Sequence, residues 1–196
     1  MRRTKEDAQQ TKQQLQAAAK ELFNEKGFAR TTLDEIARKA GMTRGAAYWH
    51  FRNKDELFET VVEKALEDMT ESKKNALNCR EHSAKERLQQ LLTLPRALPA
   101  EYALVNSVAA LLPAYPHFAP LEQSVQRHKD QLRELVTEFL TQAQADGRLT
   151  LRVGIESTTK LFFLLFQGIY FHTQEGKEVT DKELSDFLDI LCRFSE

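Results

Sequence analysis

The sequence predicts an all-α protein, and three observations carry that reading. No segment alternates apolar and polar residues as a half-buried strand would, while apolar residues recur three and four positions apart along most of the chain. Three capping boxes, Thr32–Glu35, Ser83–Glu86 and Thr180–Glu183, set a hydroxyl three residues ahead of a Glu at the head of such runs. From Asp55 to Leu94 there is neither Gly nor Pro, so a long helix meets no breaker there. The 196 residues suffice for one or two small domains with a proper core.

Nine helices are expected in order. The first is long, with Thr4 and Asp7 as candidate caps and an end near Gly27. Its positions Leu15, Ala18, Ala19, Leu22 and Phe23 share one face. The second runs from about Leu33 to Ala40 behind Thr32, and Gly41 ends it, because glycine alone takes left-handed backbone angles without a steric penalty. Thr43 caps a third helix that starts at Arg44. The fourth links the two halves from Lys54 to about Asn78. Its inner stripe is Leu57, Phe58, Val61, Val62, Ala65 and Met69, and Phe51 packs beside them. The fifth spans Ser83 to about Leu94. All five prolines lie between Pro95 and Pro120, which predicts a broken region around a sixth helix from Glu101 to Leu112. A seventh runs from Leu121 to Ala145 and is closed by Asp146-Gly147. The eighth covers Val153 to Glu175 and the ninth Asp181 to Phe194. The boundary between an N-terminal domain, residues 1–54, and a second domain, residues 55–196, falls at the start of the linking helix rather than in a flexible linker.

The second and third helices are short, separately capped and joined by about three residues that include a Gly, the pattern of a helix-turn-helix. The second helix of such a pair enters the DNA major groove, which admits one α-helix. Arg44, Gly45 and Ala46 would then face base edges. Gly45 and Ala46 are small enough for close approach, and Arg44 has the paired donors that suit guanine. Thr43, Tyr48, His50 and Lys54 are placed to donate to phosphates, which fixes register without reading sequence. Trp49, the single tryptophan, belongs to the same aromatic and basic run with Arg52. The same polar residues would also serve as the solvated face of an ordinary helical hairpin.

The stretch TTLDEIARKAGMTRGAAYWHFRNKDELF, with TKQQLQAAAKELFNEKGFARTT before it, resembles the DNA-binding half of the TetR family of bacterial transcriptional regulators. The resemblance covers residues 10–58 without a gap, and TRGAAYWHF is most similar to the AcrR-like branch that controls multidrug efflux. It implies a nine-helix, TetR-like subunit with a three-helix DNA-binding domain at the N-terminus and a ligand-binding and dimerisation domain after it. It also implies a homodimer, a palindromic double-stranded operator, and a small hydrophobic or aromatic inducer. Phosphate contacts fall by resemblance on Thr32, Tyr48, Trp49, His50 and Lys54, and base contacts on Arg44, Gly45, Ala46 and Tyr48. Some members carry a base-reading Arg directly after the Thr pair; Leu33 stands here instead, which shifts that work to Arg44.

Charge is arranged to match. The net charge is −1, yet residues 1–54 hold 12 Lys and Arg against 6 Asp and Glu, and residues 55–196 hold 16 against 23. The positive field is concentrated around the docking motif. Arg2, Arg3 and Lys5 could extend it as an arm on the DNA or simply be a frayed terminus. The two cysteines, Cys79 and Cys192, are far apart and fit a reduced, cytoplasmic setting. There is no apolar leader, and the run Leu161–Phe166 is too short to span a membrane. No metal or cofactor is expected: five scattered histidines have no ligand spacing, and no phosphate loop, G-x-S-x-G or H-E-x-x-H occurs. An enzyme is therefore not expected.

In the second half, residues 161–171 read LFFLLFQGIYF and are apolar nearly all round, which predicts burial on more than one side. Phe163, Gly168, Tyr170 and Phe171, with Leu184, Phe187, Leu188 and Leu191 of the last helix, are candidates for a four-helix interface with a second subunit. Tyr102, Phe118, Phe139, Phe162 and Phe166 are candidates to line an inducer pocket, with His117, His128 and His172 as sources of polarity. The same side chains would also serve as plain core. A nucleoid-organising DNA protein of the same fold, without an inducer, is the alternative function, and the sign of regulation stays open.

Overall fold

The structure is a computed structural model that describes residues 5–195. Nine α-helices occur among those residues: α1 (Lys5–Lys26), α2 (Leu33–Lys39), α3 (Arg44–His50), α4 (Lys54–Asn78), α5 (Ala84–Ala97), α6 (Pro99–Leu111), α7 (Ala119–Ala145), α8 (Ile155–Gln174) and α9 (Asp181–Leu191). A 3₁₀ turn at Pro116–Phe118 leads into α7. The arm residues Arg2 and Arg3 and the Thr4 cap lie outside the described residues, and Lys5 opens α1.

Local chemistry sets the boundaries. At Thr32, Ser83 and Thr180 the hydroxyl accepts from the backbone N–H three residues on, and the Glu there accepts from the cap's own N–H, so two otherwise orphaned donors are satisfied at each start. The prolines break the chain less than the sequence suggests. Pro95 sits inside α5, which runs three residues past Leu94. Pro99 opens α6, Pro116 opens the 3₁₀ turn and Pro120 lies in the first turn of α7. First-turn prolines surrender an N–H that has no helical partner anyway.

Two short strands were not expected. β1 (Leu149–Leu151) pairs antiparallel with β2 (Cys192–Phe194), with Leu149 opposite Phe194 and Leu151 opposite Cys192. The last helix consequently stops at Leu191 rather than Phe194. Three residues are too few to show an alternation, so periodicity had nothing to detect.

The chain forms two compact units. One runs to Glu67 and takes in Ala100–Glu122; the other comprises Asp68–Pro99 and Gln123–Glu196. In the first unit Leu15, Ala19, Ile36, Ala47, Phe51, Leu57 and Phe58 are buried, which joins α1, α2, α3 and the head of α4 into one core. Phe28 is its aromatic hub. Its ring centroid lies 4.9 Å from Phe58, 4.9 Å from Tyr115 and 5.1 Å from Phe118. Lys20 on α1 reaches Glu101 on α6 at 2.7 Å. In the second unit α5 packs on α8 and α9. Leu88, Leu91, Leu92, Phe162, Leu184 and Leu188 fill the space between them.

Candidate nucleic-acid interface

The turn between α2 and α3 is built by its backbone. Gly41 has φ +70°, its N–H bonds the Arg38 carbonyl at 3.1 Å, and the Met42 N–H bonds the Ala37 carbonyl at 2.8 Å. This closure satisfies the last carbonyls of α2 and needs a left-handed residue at position 41. Thr43 then caps α3 by accepting from the Ala46 N–H at 3.2 Å. Ala47 and Phe51 face inward and are buried. The opposite face therefore carries Arg44, Gly45, Tyr48 and Trp49, all exposed, with Arg52 one turn further on.

Trp49 is 72% exposed and Tyr48 45%. Leaving two large rings in water forgoes burial worth roughly 1.5–3 kcal/mol for a large apolar side chain, so the chain's own packing gives no reason for them. The Trp49 ring stands edge-on to His50, with centroids 4.5 Å apart. Arg44 lies over the Tyr48 ring at 5.3 Å, and its Nη1 is 3.1 Å from Asp34 Oδ2 on α2. The acidic partner across the turn is a feature that sequence reasoning missed, although its spacing of ten residues across a Gly turn was readable.

Several expected DNA contacts are partly used inside the chain. The Thr32 hydroxyl donates to Glu35 Oε2 at 3.0 Å. Ala46 and His50 sit half-buried at the flank of the exposed face. Lys54 turns its ammonium inward, donates to the Phe28 carbonyl at 2.8 Å and lies 4.0 Å from the Phe28 ring centroid. Burial holds its pKa below the usual lysine range. Other basic side chains are tied to neighbours: Lys39 to Glu21 and Glu25, Lys26 to Glu35, and Arg52 to Glu56.

The second-half candidates scatter. Phe118 and Tyr102 are buried in the first unit, with Phe118 locked against Phe28 and Phe58. Phe162 and Phe166 are buried and Phe139 half-buried in the second. Of the histidines, His117 meets Asp55 at 3.1 Å and His172 is exposed, while His128 is buried. Leu184, Leu188 and Leu191 are buried within the single chain. The apolar side chains left uncovered on α8 and α9 are Leu161, Leu164, Phe171, Phe187 and Ile190, with Phe163, Gly168 and Tyr170 half-buried beside them. No helix among the described residues is long and apolar enough to cross a membrane. Cys192 is buried, and that burial pushes its thiol up to about 11.

The interface segment coincides with a known domain. Residues 15–61 match the family model described as "Bacterial regulatory proteins, tetR family". The chain is 54% identical over 63 residues to the HTH-type transcriptional regulator TtgR of Pseudomonas putida, an alignment that covers 32% of this chain and 30% of that protein. It is 27% identical over 187 residues to the HTH-type transcriptional repressor BepR of Brucella suis, covering 90% of this chain and 88% of that one. A TetR transcriptional regulator from Chloroflexus aurantiacus superposes with a TM-score of 0.76 at 18% identity, over 97% of this chain and 100% of that one, which shows a shared fold.

Proposed function

We propose that this chain, whose residues 15–61 match the tetR-family model, is a ligand-responsive transcriptional repressor of that family's AcrR-like branch. In this reading it binds a palindromic operator as a homodimer and leaves it when a small apolar or aromatic inducer binds. A drug-efflux or related gene is the proposed target. The named relatives are regulators, not enzymes.

One observation carries the reading: a buried Ala47–Phe51 edge holds α3 in place while Arg44, Tyr48 and Trp49 stand out on its other face. That is the arrangement a reading helix needs in the major groove. Arg44 reads a base edge with Gly45 and Ala46 allowing close approach. Thr32, Thr43, Tyr48, Trp49 and His50 lie against the phosphates, and Lys54 holds the head of α4 under the reading helix. A second subunit packs on the uncovered α8 and α9 face, so two reading helices meet successive half-sites about one DNA turn apart, roughly 34–36 Å. An inducer that favours another spacing couples to DNA affinity by typically about 1–3 kcal/mol.

Footprinting on DNA upstream of the protein's own gene tests this. The reading predicts a short symmetric protection that disappears when a cognate inducer is added. Occupancy of many dispersed, unrelated sites with no response to small molecules would instead favour an architectural DNA protein.

A further inference from the structure

A cavity of about 260 Å³ lies between α4 and α7 in the second unit. Its polar wall is Thr70, Lys73 and His128, and Leu132 and Leu135 supply apolar wall. Lys73 is 3% exposed and His128 8%. Their nitrogens, Lys73 Nζ and His128 Nε2, are 2.6 Å apart, and Thr70 Oγ1 is 3.0 Å from His128 Nδ1. An ammonium donates to a neutral Nε2, which places the ring hydrogen on Nδ1 and directs it to Thr70. Lys74, Glu134 and Glu138 are the charged groups at the solvent side of the same cavity, and Lys129 adds its charge near His128.

We infer that this cavity is an inducer subsite for a small carboxylic acid, whose carboxylate meets the Lys73 ammonium while its apolar body lies on Leu132 and Leu135. The inference rests on the repressor reading for its biological consequence, but not for the binding itself. The cavity falls just under the range of about 300–1,000 Å³ usual for drug-sized ligands, so the occupant is small. Burial lowers Lys73 to about 7, and burial followed by the Lys73 charge lowers His128 to about 4. A carboxylate reverses both trends, because an opposite charge within about 4–6 Å favours the protonated base. Binding at and above neutral pH therefore takes up a proton. Affinity is full below pH 7, while the ligand stays ionised, and falls as pH rises above it. Glu134 and Glu138 stand at the open side of the cavity, exposed to water that screens them.

Calorimetry on the full chain tests this with benzoate and hexanoate, their neutral amides, and benzylamine as the cation. Titrations in two buffers of different ionisation enthalpy read the proton. The acids are expected to bind with proton uptake at pH 8, and Lys73→Met to weaken them by about 10–100-fold, the range for one hydrogen bond to a charged group. Lys73→Met is also expected to leave binding to upstream DNA intact, which shows that the variant folds. His128→Gln is expected to weaken acid binding by loosening the partner that positions the Lys73 ammonium, and to leave the proton uptake at pH 8 in place. Equal binding by Lys73→Met, preference for the amide or for benzylamine, or no binding by a protein that still holds DNA would overturn the subsite. Acid binding that depends on Lys73 yet never releases DNA would uphold the subsite and overturn the inducer reading instead.

Discussion

Arg44 on α3 reaches back to Asp34 on α2, with Nη1 3.1 Å from Oδ2, so the side chain best placed to read a base is held by an acid across the turn. The pair is exposed, and exposed pairs contribute only about 0–1 kcal/mol. Asp34 thus orients Arg44 without locking it. Asp34→Asn should tighten binding to non-specific DNA a few-fold, because it removes a negative charge beside the phosphates. It should also narrow the gap between specific and non-specific binding. Fluorescence anisotropy with cognate and scrambled duplexes reads both; an unchanged ratio would mean that the pair plays no part in recognition.

Lys54 and Arg52 lie close in sequence but have different roles. Lys54 donates into the chain at the Phe28 carbonyl, whereas Arg52 is largely exposed and is tied only at the surface to Glu56. Each phosphate neutralised on duplex DNA contributes about 0.9 to the slope of log affinity against log salt. Arg52→Ala should lower the slope by about that amount with little change in melting temperature. Lys54→Met should lower the melting temperature and leave the slope alone. A salt-titration series on both variants distinguishes the two roles.

Gly41→Ala isolates a backbone effect. Nothing lies within 4 Å of the position a Cβ would take, so no clash arises, but φ is +70°. The expected loss is about 1–2 kcal/mol, the penalty for a left-handed L-residue. Thermal unfolding should record it, and Gly45→Ala, in ordinary helical geometry with open space around it, should leave stability at or above the parent.

Leu164 and Ile190 are 57% and 68% exposed on α8 and α9. If the proposed dimer packs on this face, placing Glu at either site should convert it to a species of 22.6 kDa in light scattering, since a charge buried without a partner is costly. The same substitution at exposed Thr150 should leave the mass unchanged.

Lys73 and His128 make stability depend on pH. Both bases are held below their ordinary values in the folded chain, to about 7 and about 4. The unfolded chain therefore binds more protons, and stability rises with pH between about 4 and 6.5 through His128 and above about 7 through Lys73. Lys73→Met should remove the upper part of that rise. Denaturant unfolding across the range would refute the assignment if the variant kept it.

Much of this was legible in the sequence because it is local. Thr32–Glu35, Gly41 and Thr43 determine α2, the turn and α3 within twelve residues, and each acts on its own backbone. The 3, 4 spacing of Leu15, Ala18, Ala19, Leu22 and Phe23 gave the inner face of α1 for the same reason. What escaped depends on distant partners. Cys192–Phe194 became a strand because Leu149–Leu151 lies beside it, and no periodicity reports a three-residue pairing. Lys54 is expected at the phosphates, and nothing near it in sequence shows that its ammonium also meets the Phe28 carbonyl 2.8 Å away. Leu184, Leu188 and Leu191 read as an interface, yet an amphipathic stripe is the same whether its own chain or another covers it. Phe118 is a candidate for pocket lining in the sequence, and its contacts with Phe28 and Phe58 come only from the fold. Lys73 has no local sequence signal, and only the fold brings His128 to it.

The docking of α3 is tested most directly by the emission of Trp49, the single tryptophan, 72% exposed on the proposed reading face. Titrating the protein with duplex DNA from upstream of its own gene should quench that emission at low concentration, with a salt-dependent midpoint that moves to weaker binding in Arg44→Ala and Tyr48→Ala. Binding that leaves Trp49 emission unchanged, or that is indifferent to both substitutions, would contradict the account, because DNA would then be held by some surface other than α3.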